Sequence, residues 1–330
     1  MPDMYDEESV DSRRDAAPQQ VEFVLIAEAG ILERQALLLC ESIRRFGGAL
    51  SSSAITVVSP RKSRRPSHAT LKMLDRLQAE YLALEIDSAC PDYGPSFKVH
   101  ALAHVARRSG PPIMVQVDSD SLFVAEPNAL SKIDWAAGRP VDVKGMCTTG
   151  PGDEFDEYWR ALCAVAGVDY EQIPVIRTTV DRVRVRASYN GGLLAARRAS
   201  GIFERAEEYF LRLVAADLRP WEGRDIAIRS GAEIVSKAGS AYWGTSQAAF
   251  SLASVRSGRR VEILSDAYNF PLHLLDEMTT PVPAPLAHIH YHWLASNGAG
   301  DASALFDARL RLSAEVRAWL RPRAPFSERQ

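Results

Sequence analysis

Apolar residues in the first half of the chain alternate between short unbroken runs and stretches at helical spacing. Val21 to Ala27 is such a run; after Glu28 and Gly30, residues Leu32, Ala36, Leu39, Cys40 and Ile43 recur three or four apart until Gly47-Gly48 stops them. This pattern predicts a strand, a loop and a helix. Ile55 to Val58 predicts a second strand, followed by a loop with the basic run Arg61 to Arg65 between Pro60 and Pro66, and then a helix from Ala69 to Glu80. Tyr81 to Ile86 predicts a third strand, Phe97 to Arg107 a helix and Ile113 to Val117 a buried strand. Repeated strand-helix units point to an α/β fold.

The second half is less regular. A helix is predicted over Phe155 to Ala166 and an Arg-rich stretch (Arg177, Arg182, Arg184, Arg186) precedes Tyr189-Asn190-Gly191-Gly192-Leu193-Leu194. Helices follow over Ile202 to Ala215 and Gln247 to Ser254, and Ala287 to Trp293 reads as an alternating strand. No internal repeat and no Gly/Ser linker divides the chain, so one domain over residues 21–325 is expected behind a disordered polar tail at 1–20.

Composition adds little constraint: 330 residues, 46% hydrophobic and 25% charged, are ordinary for a soluble globular protein. A net charge of −3 gives no global pull toward nucleic acid or anionic lipid. No apolar run nears the roughly 18 residues of a membrane span, and the first twenty residues lack a signal-peptide core. Cys40, Cys90, Cys147 and Cys163 are widely spaced, without a C-x-x-C pair, which predicts reduced buried thiols and a cytoplasmic setting.

The candidate chemistry lies at Asp118-Ser119-Asp120, at the end of the apolar run 113–117. On a strand, alternate residues share a face, so Asp118 and Asp120 converge while Ser119 points away. Two carboxylates at one point call for a cation. Mg²⁺ or Mn²⁺ takes one or two carboxylates and commonly completes its shell with substrate phosphates. His288, His290 and His292 also alternate and would face one side of the last strand; imidazole suits Mn²⁺ better than Mg²⁺, and three of them also permit Zn²⁺. Each could instead be a hydrogen-bonded core histidine, as the aspartates could instead cap a turn or pair with Arg.

In this order the motifs resemble the metal-dependent nucleotide-sugar glycosyltransferases of the GT-A fold, in particular the glycogenin-like, family 8 type. The D-x-D element is followed by Leu122, Phe123 and Pro127; Ser96-Phe97-Lys98-Val99-His100 looks like the lysine-bearing helix before it; Tyr189-Asn190-Gly191-Gly192 resembles the F-N-[SA]-G segment; and His288 to Trp293 resembles the late histidine element. The resemblance covers roughly residues 21–293. It implies a central mixed, mostly parallel sheet flanked by helices, a nucleoside diphosphate sugar donor with UDP favoured, an unidentified acceptor, and Mn²⁺ or Mg²⁺ held by Asp118, Asp120 and His290. Asp120 would ligate directly, and Asp118 would reach the ribose and sugar or bind the ion through water. It further implies donor contacts from Glu28 (nucleoside base), Lys98 (phosphate or hydroxyl), Ser119 and Gly191, and roles in transfer for Asn190 and Gln247. Retention at the anomeric carbon is the implied outcome.

The sequence departs from the family at two places. Thr245-Ser246-Gln247 stands where family 8 members carry an acidic D-Q element, with Glu222 and Asp225 as nearby carboxylates, and the K-P-W ending is reduced to Trp293. A GT-A-like protein that binds nucleotide or sugar without transfer is therefore one competing reading. A haloacid-dehalogenase-type phosphatase is another, although its D-x-D normally opens the fold.

Overall fold

The structure, a computed structural model, describes residues 20–224, 226, 228, 235–292 and 302–323. The polar tail, Asp225 and Trp293 lie outside the described residues.

The first elements follow the strand-helix rhythm: β1 (Val21–Ile26), α1 (Ile31–Phe46), β2 (Ala54–Ser59), α2 (His68–Arg76), β3 (Glu80–Ala83), α3 (Pro95–Ala106) and β4 (Ile113–Val117). Next come β5 (Ser121–Phe123), β6 (Ala136–Pro140), α4 (Asp156–Ala166), the hairpin strands β7 (Val175–Arg177) and β8 (Arg184–Arg186), β9 (Tyr189–Arg197) and α5 (Ile202–Ala215). The chain continues through α6 (Lys237–Ala241), α7 (Thr245–Val255), β10 (Glu262–Ile263), β11 (Phe270–Pro271), β12 (His288–His290) and α8 (Ala314–Leu320). Helix α2 ends four residues before the predicted Glu80. Gln78 turns through a left-handed φ of 52° and Glu80 opens β3, pairing with Thr56.

Seven strands form the main sheet in the order β10-β6-β9-β4-β1-β2-β3. All neighbours are parallel except β9, which runs antiparallel to β4 and β6, so the sheet is mixed and mostly parallel as the resemblance implied. The central strands are buried on both faces, which explains their unbroken apolar runs. Alternation then sorts side chains. Phe23, Leu25, Ile55, Val57, Val115 and Val117 pack with Leu39, Ile43 and Leu74 of α1 and α2, whereas Val24, Val58 and Met114 face α3, α4, α5 and α7 through Leu102, Trp159, Phe210 and Phe250.

A second sheet of three very short strands, β11-β12-β5, stands beyond the end of β4. It packs Leu122, Phe270 and Ile289 against the outer side of α1 (Leu38, Phe46) and against Trp319 and Leu320 of α8. The four cysteines are buried free thiols.

Candidate active site

A cavity of about 640 Å³ opens where β1, β4, β6 and β9 deliver their ends between the two sheets. In open α/β sheets, ligands bind at the carboxyl ends of parallel strands. Glu28, Lys98, Asp118, Ser119, Asp120, Asn190, Gly191, Gln247 and His290 all line this one cavity. The sequence motifs therefore converge although 170 residues separate Asp120 from His290.

The aspartates leave β4 before they act. Asp118 to Asp120 form the turn between β4 and β5, not the end of a strand. Their backbone is pinned: the Asp118 amide donates to the Gly192 carbonyl (2.9 Å) and the Tyr291 amide donates to the Asp120 carbonyl (3.0 Å). Ser119 points away as predicted, its hydroxyl donating to the Ile26 carbonyl at the end of β1.

The two carboxylates have different company. Asp118 receives a hydrogen bond from Lys98 Nζ at 2.6 Å, and the same ammonium donates to the Gly191 carbonyl at 3.1 Å. Asp120 lies against imidazoles, with His290 Nε2 at 3.1 Å and His292 Nδ1 at 4.0 Å. Burial by itself would raise the Asp120 carboxyl, but the charge and hydrogen bond of His290, with His292 behind it, hold it well below the ordinary range. His290 is raised in return: burial opposes its protonation and the Asp120 carboxylate overrides that cost.

His288 takes no part in this cluster. Its Nε2 lies 2.9 Å from the Ser121 hydroxyl, its Nδ1 accepts from the Asn269 amide (3.2 Å), and its ring packs on Phe123. His292 does line the cavity, yet by a different route from strand alternation. β12 ends at His290, His292 adopts a left-handed φ of 50°, and its ring stacks on His290 with centroids 3.7 Å apart.

Two glycines make the approach possible. A Cβ on Gly192 would sit 2.3 Å from His290 Nδ1 and 2.4 Å from Asn269 Oδ1, so only glycine lets β9 pass this close to the histidine. At Gly191 a Cβ would meet Lys98 Nζ at 3.3 Å. Asn190 is fixed from both ends: its amide donates to Asp142 Oδ2 (2.7 Å) and its carbonyl accepts from the Gly192 amide (2.8 Å).

Glu28 lines the cavity with both carboxylate oxygens engaged by Arg61, whose guanidinium also lies over the Phe97 ring at 4.4 Å. Gln247 sits in the first turn of α7, facing Gly191. The start of α3 (Gly94, Pro95, Phe97, Lys98) opens onto the same space, so the N-termini of two helices, the positive ends of their dipoles, face the cavity. Arg177, Arg182, Arg184 and Arg186 do not line the cavity; they belong to the β7–β8 hairpin, where Arg186 pairs with Glu171 at 2.5 Å. Glu222 pairs with Arg219 and is also away from it.

Among the cavity residues that no sequence motif marked, Asp142 and His273 bring a further carboxylate and imidazole. Asp142 follows the buried end of β6, and His273 follows β11; each is a lone residue with no motif around it. Burial pushes the Asp142 carboxyl up to about 6, only partly offset by His290, Arg139 and the Asn190 hydrogen bond. Asp120, His290 and His292 form one group able to hold a metal ion, and Asp142, His273 and His292 form another.

The donor set fits a divalent cation. It combines carboxylates with imidazoles, and His290 Nδ1 is buried without a hydrogen-bond partner at the point where Gly192 clears space for the ring.

Among solved structures, the chain is similar to a galactosyltransferase, LgtC, in complex with donor and acceptor sugar analogues: TM-score 0.50 at 12% identity, over 90% of this chain and 99% of that one. That likeness establishes the GT-A fold. No curated protein sequence matches the chain. A sequence profile described as the Rhodobacterales glycosyltransferase domain matches residues 23–222, which span β1 to beyond α5 and include both aspartates, Lys98 and Asn190. The chain belongs to the Rhodobacterales glycosyltransferase domain family.

Proposed function

We propose that residues 21–325 act as one domain that transfers a sugar from a nucleoside diphosphate donor to a hydroxyl-bearing acceptor, assisted by Mn²⁺ or Mg²⁺. The observation that carries this reading is the meeting of Asp118, Asp120, His290, Lys98, Asn190 and Gln247 in one cavity onto which the N-termini of α3 and α7 open. UDP as the nucleotide, retention at the anomeric carbon and a cytoplasmic setting follow from the family 8 resemblance and the free thiols. Among the described residues no helix is long and apolar enough to cross a membrane.

Asp120 and His290, with Asp118 beside them, would hold the cation, which when bound supplies Lewis-acid stabilisation of the departing diphosphate. Lys98 places a point charge between Asp118 and the Gly191 carbonyl, where it can meet a donor phosphate or hydroxyl. The positive dipole ends of α3 and α7 favour anionic oxygens at the same place. Asn190 and Gln247 bring amide groups to a stretch of backbone kept thin by Gly191 and Gly192, the arrangement needed to read sugar hydroxyls. Glu28 and Arg61 form the far wall, suited to a nucleoside base stacked or hydrogen-bonded at the end of β1.

The test is turnover of UDP-, GDP-, ADP- and CDP-sugars with Mn²⁺, followed as donor hydrolysis with the product anomer read by NMR. One donor class should turn over with retention, and Asp120→Ala should lower the rate at least about a hundredfold, the loss typical of removing one charge-stabilising group from a transition state. Binding of nucleotide without turnover of any conjugate would favour a non-catalytic GT-A-like binder, and release of phosphate from simple phosphoesters would favour a phosphatase.

A further inference from the structure

The Asp120–His290 cluster does not exhaust the metal-type donors of the cavity. Across its wall stand Asp142, His273 and His292, whose ligand atoms lie within 4.8 Å of one another. Three separate segments bring them together. β11 and β12 are parallel with Pro271 beside His290, so two residues further on His273 comes beside His292, with ring centroids 3.9 Å apart. Asp142 arrives from the end of β6, where the Val141 amide donates to the Ser188 carbonyl and holds the chain next to β9.

Asp142 forms no ion pair among the described residues; it accepts from the Asn190 amide, and the nearby Arg139 is paired with Asp266 at 2.6 Å. A half-buried carboxylate beside two imidazoles, with no salt-bridged cation of its own, is a carboxylate–imidazole set of the kind that ligates a transition ion.

We propose that Asp142, His273 and His292 form a second divalent-cation position, sharing His292 with the Asp120–His290 position and taking a borderline transition ion such as Zn²⁺ in preference to Mg²⁺. Two imidazoles and one carboxylate are the ligand set of open, three-ligand zinc sites, whereas Mg²⁺ prefers an all-oxygen octahedral shell. Metal–ligand distances of about 2.0–2.2 Å put the donors of a tetrahedral ion roughly 3.3–3.6 Å apart, so closure needs side-chain shifts of about 1 Å. Neutral His292 offers one lone-pair nitrogen, so serving both positions at once requires the ring to release its N–H proton to solvent and bridge the two ions as imidazolate. This inference goes beyond the donor reading, since it concerns the metal alone.

The test is calorimetric titration of the tag-free, metal-stripped full chain with Zn²⁺, without nucleotide, with folding of every variant checked by circular dichroism. Two equivalents are expected in the parent protein. His273→Ala and Asp142→Asn should each abolish one equivalent or weaken it by more than about tenfold, the low end of what losing even an outer-shell partner costs. Asp120→Asn should remove the other equivalent, and His292→Ala should affect both. His273 and Asp142 lie on different elements, and His273→Gln provides a conservative third variant if either fails to fold. A single equivalent untouched by the His273 and Asp142 variants would overturn the proposal, as would the absence of zinc uptake by the folded parent protein. Loss of nucleotide binding with intact zinc stoichiometry would count against the donor reading and leave this site standing.

Discussion

The two sheets of this protein contribute differently to the cavity between them: the larger brings carboxylates and amides at its strand ends, the smaller brings imidazoles. The central strands of the seven-stranded sheet are covered on both faces and mostly apolar, with Asn190-Gly191-Gly192 at the start of β9 as their polar end, while the three-stranded sheet has strands of two or three residues and carries Ser121, His288 and His290, with His273 and His292 just past its ends. In the first, stability comes from area: many side chains buried against helices on both faces. In the second, what matters is register. A shift of one residue in β12 would turn both histidines away from Asp120 and Ser121. The imidazoles of the cavity therefore depend on the smaller and less regular sheet, held in place by α1 and α8, whereas its carboxylates and amides come from the ends of the larger one.

Four substitutions test how far the two contributions are separate. The largest effect is expected in the scaffold: Leu39→Ala, at a fully buried site of α1 under the main sheet, should cost about 3–4 kcal/mol in urea unfolding yet leave metal affinity of the folded protein unchanged. Asp142→Asn acts at the site with the opposite sign. Its carboxyl lies at about 6, above the ordinary carboxyl range, so the folded metal-free state holds the proton more tightly and loses stability as pH rises from about 4 to about 6. The Asn variant should lack that loss and be up to about 3 kcal/mol more stable than the parent at pH 7.5 without metal, read from denaturation midpoints across that range. Gly192→Ala should crowd His290 and Asn269, lowering stability by about 1–3 kcal/mol and weakening metal binding, which titration calorimetry would detect. Lys98→Met should leave stability nearly unchanged and raise the donor KM about tenfold, roughly 1.4 kcal/mol of lost phosphate contact.

The same contrast explains what could be read from sequence. The main sheet was legible where local pattern and burial agree: β1, β2, β4 and helices α1, α3, α5 and α7 lie at or within a few residues of the apolar runs that predict them. β6 was not legible. Its sequence Ala-Ala-Gly-Arg-Pro has little strand propensity, and it is a strand because β9 and β10 flank it. The site was legible through its motifs, since Asp118, Asp120, Lys98, Asn190, Gln247 and His290 share the cavity. Asp142 and His273 were not, because their nearness to His292 follows from pairing between distant segments that leaves no spacing in the sequence. Strand alternation also assigned His288 and His292 alike to the metal face; the left-handed turn after Tyr291 carries only His292 into the cavity.

Under the proposed function the Asp120–His290 cluster binds a nucleoside diphosphate through a divalent cation. The most direct measurement is the thermal midpoint of the parent protein and of Asp120→Ala with UDP, GDP, ADP or CDP, each with and without Mn²⁺. A ligand at a hundred times its Kd stabilises by about 2.7 kcal/mol, which for a chain of this size raises the midpoint by several degrees. The expected result is a Mn²⁺-dependent rise with UDP that Asp120→Ala abolishes. No Mn²⁺-dependent rise with any of the four nucleotides, or one that survives in folded Asp120→Ala, would contradict it.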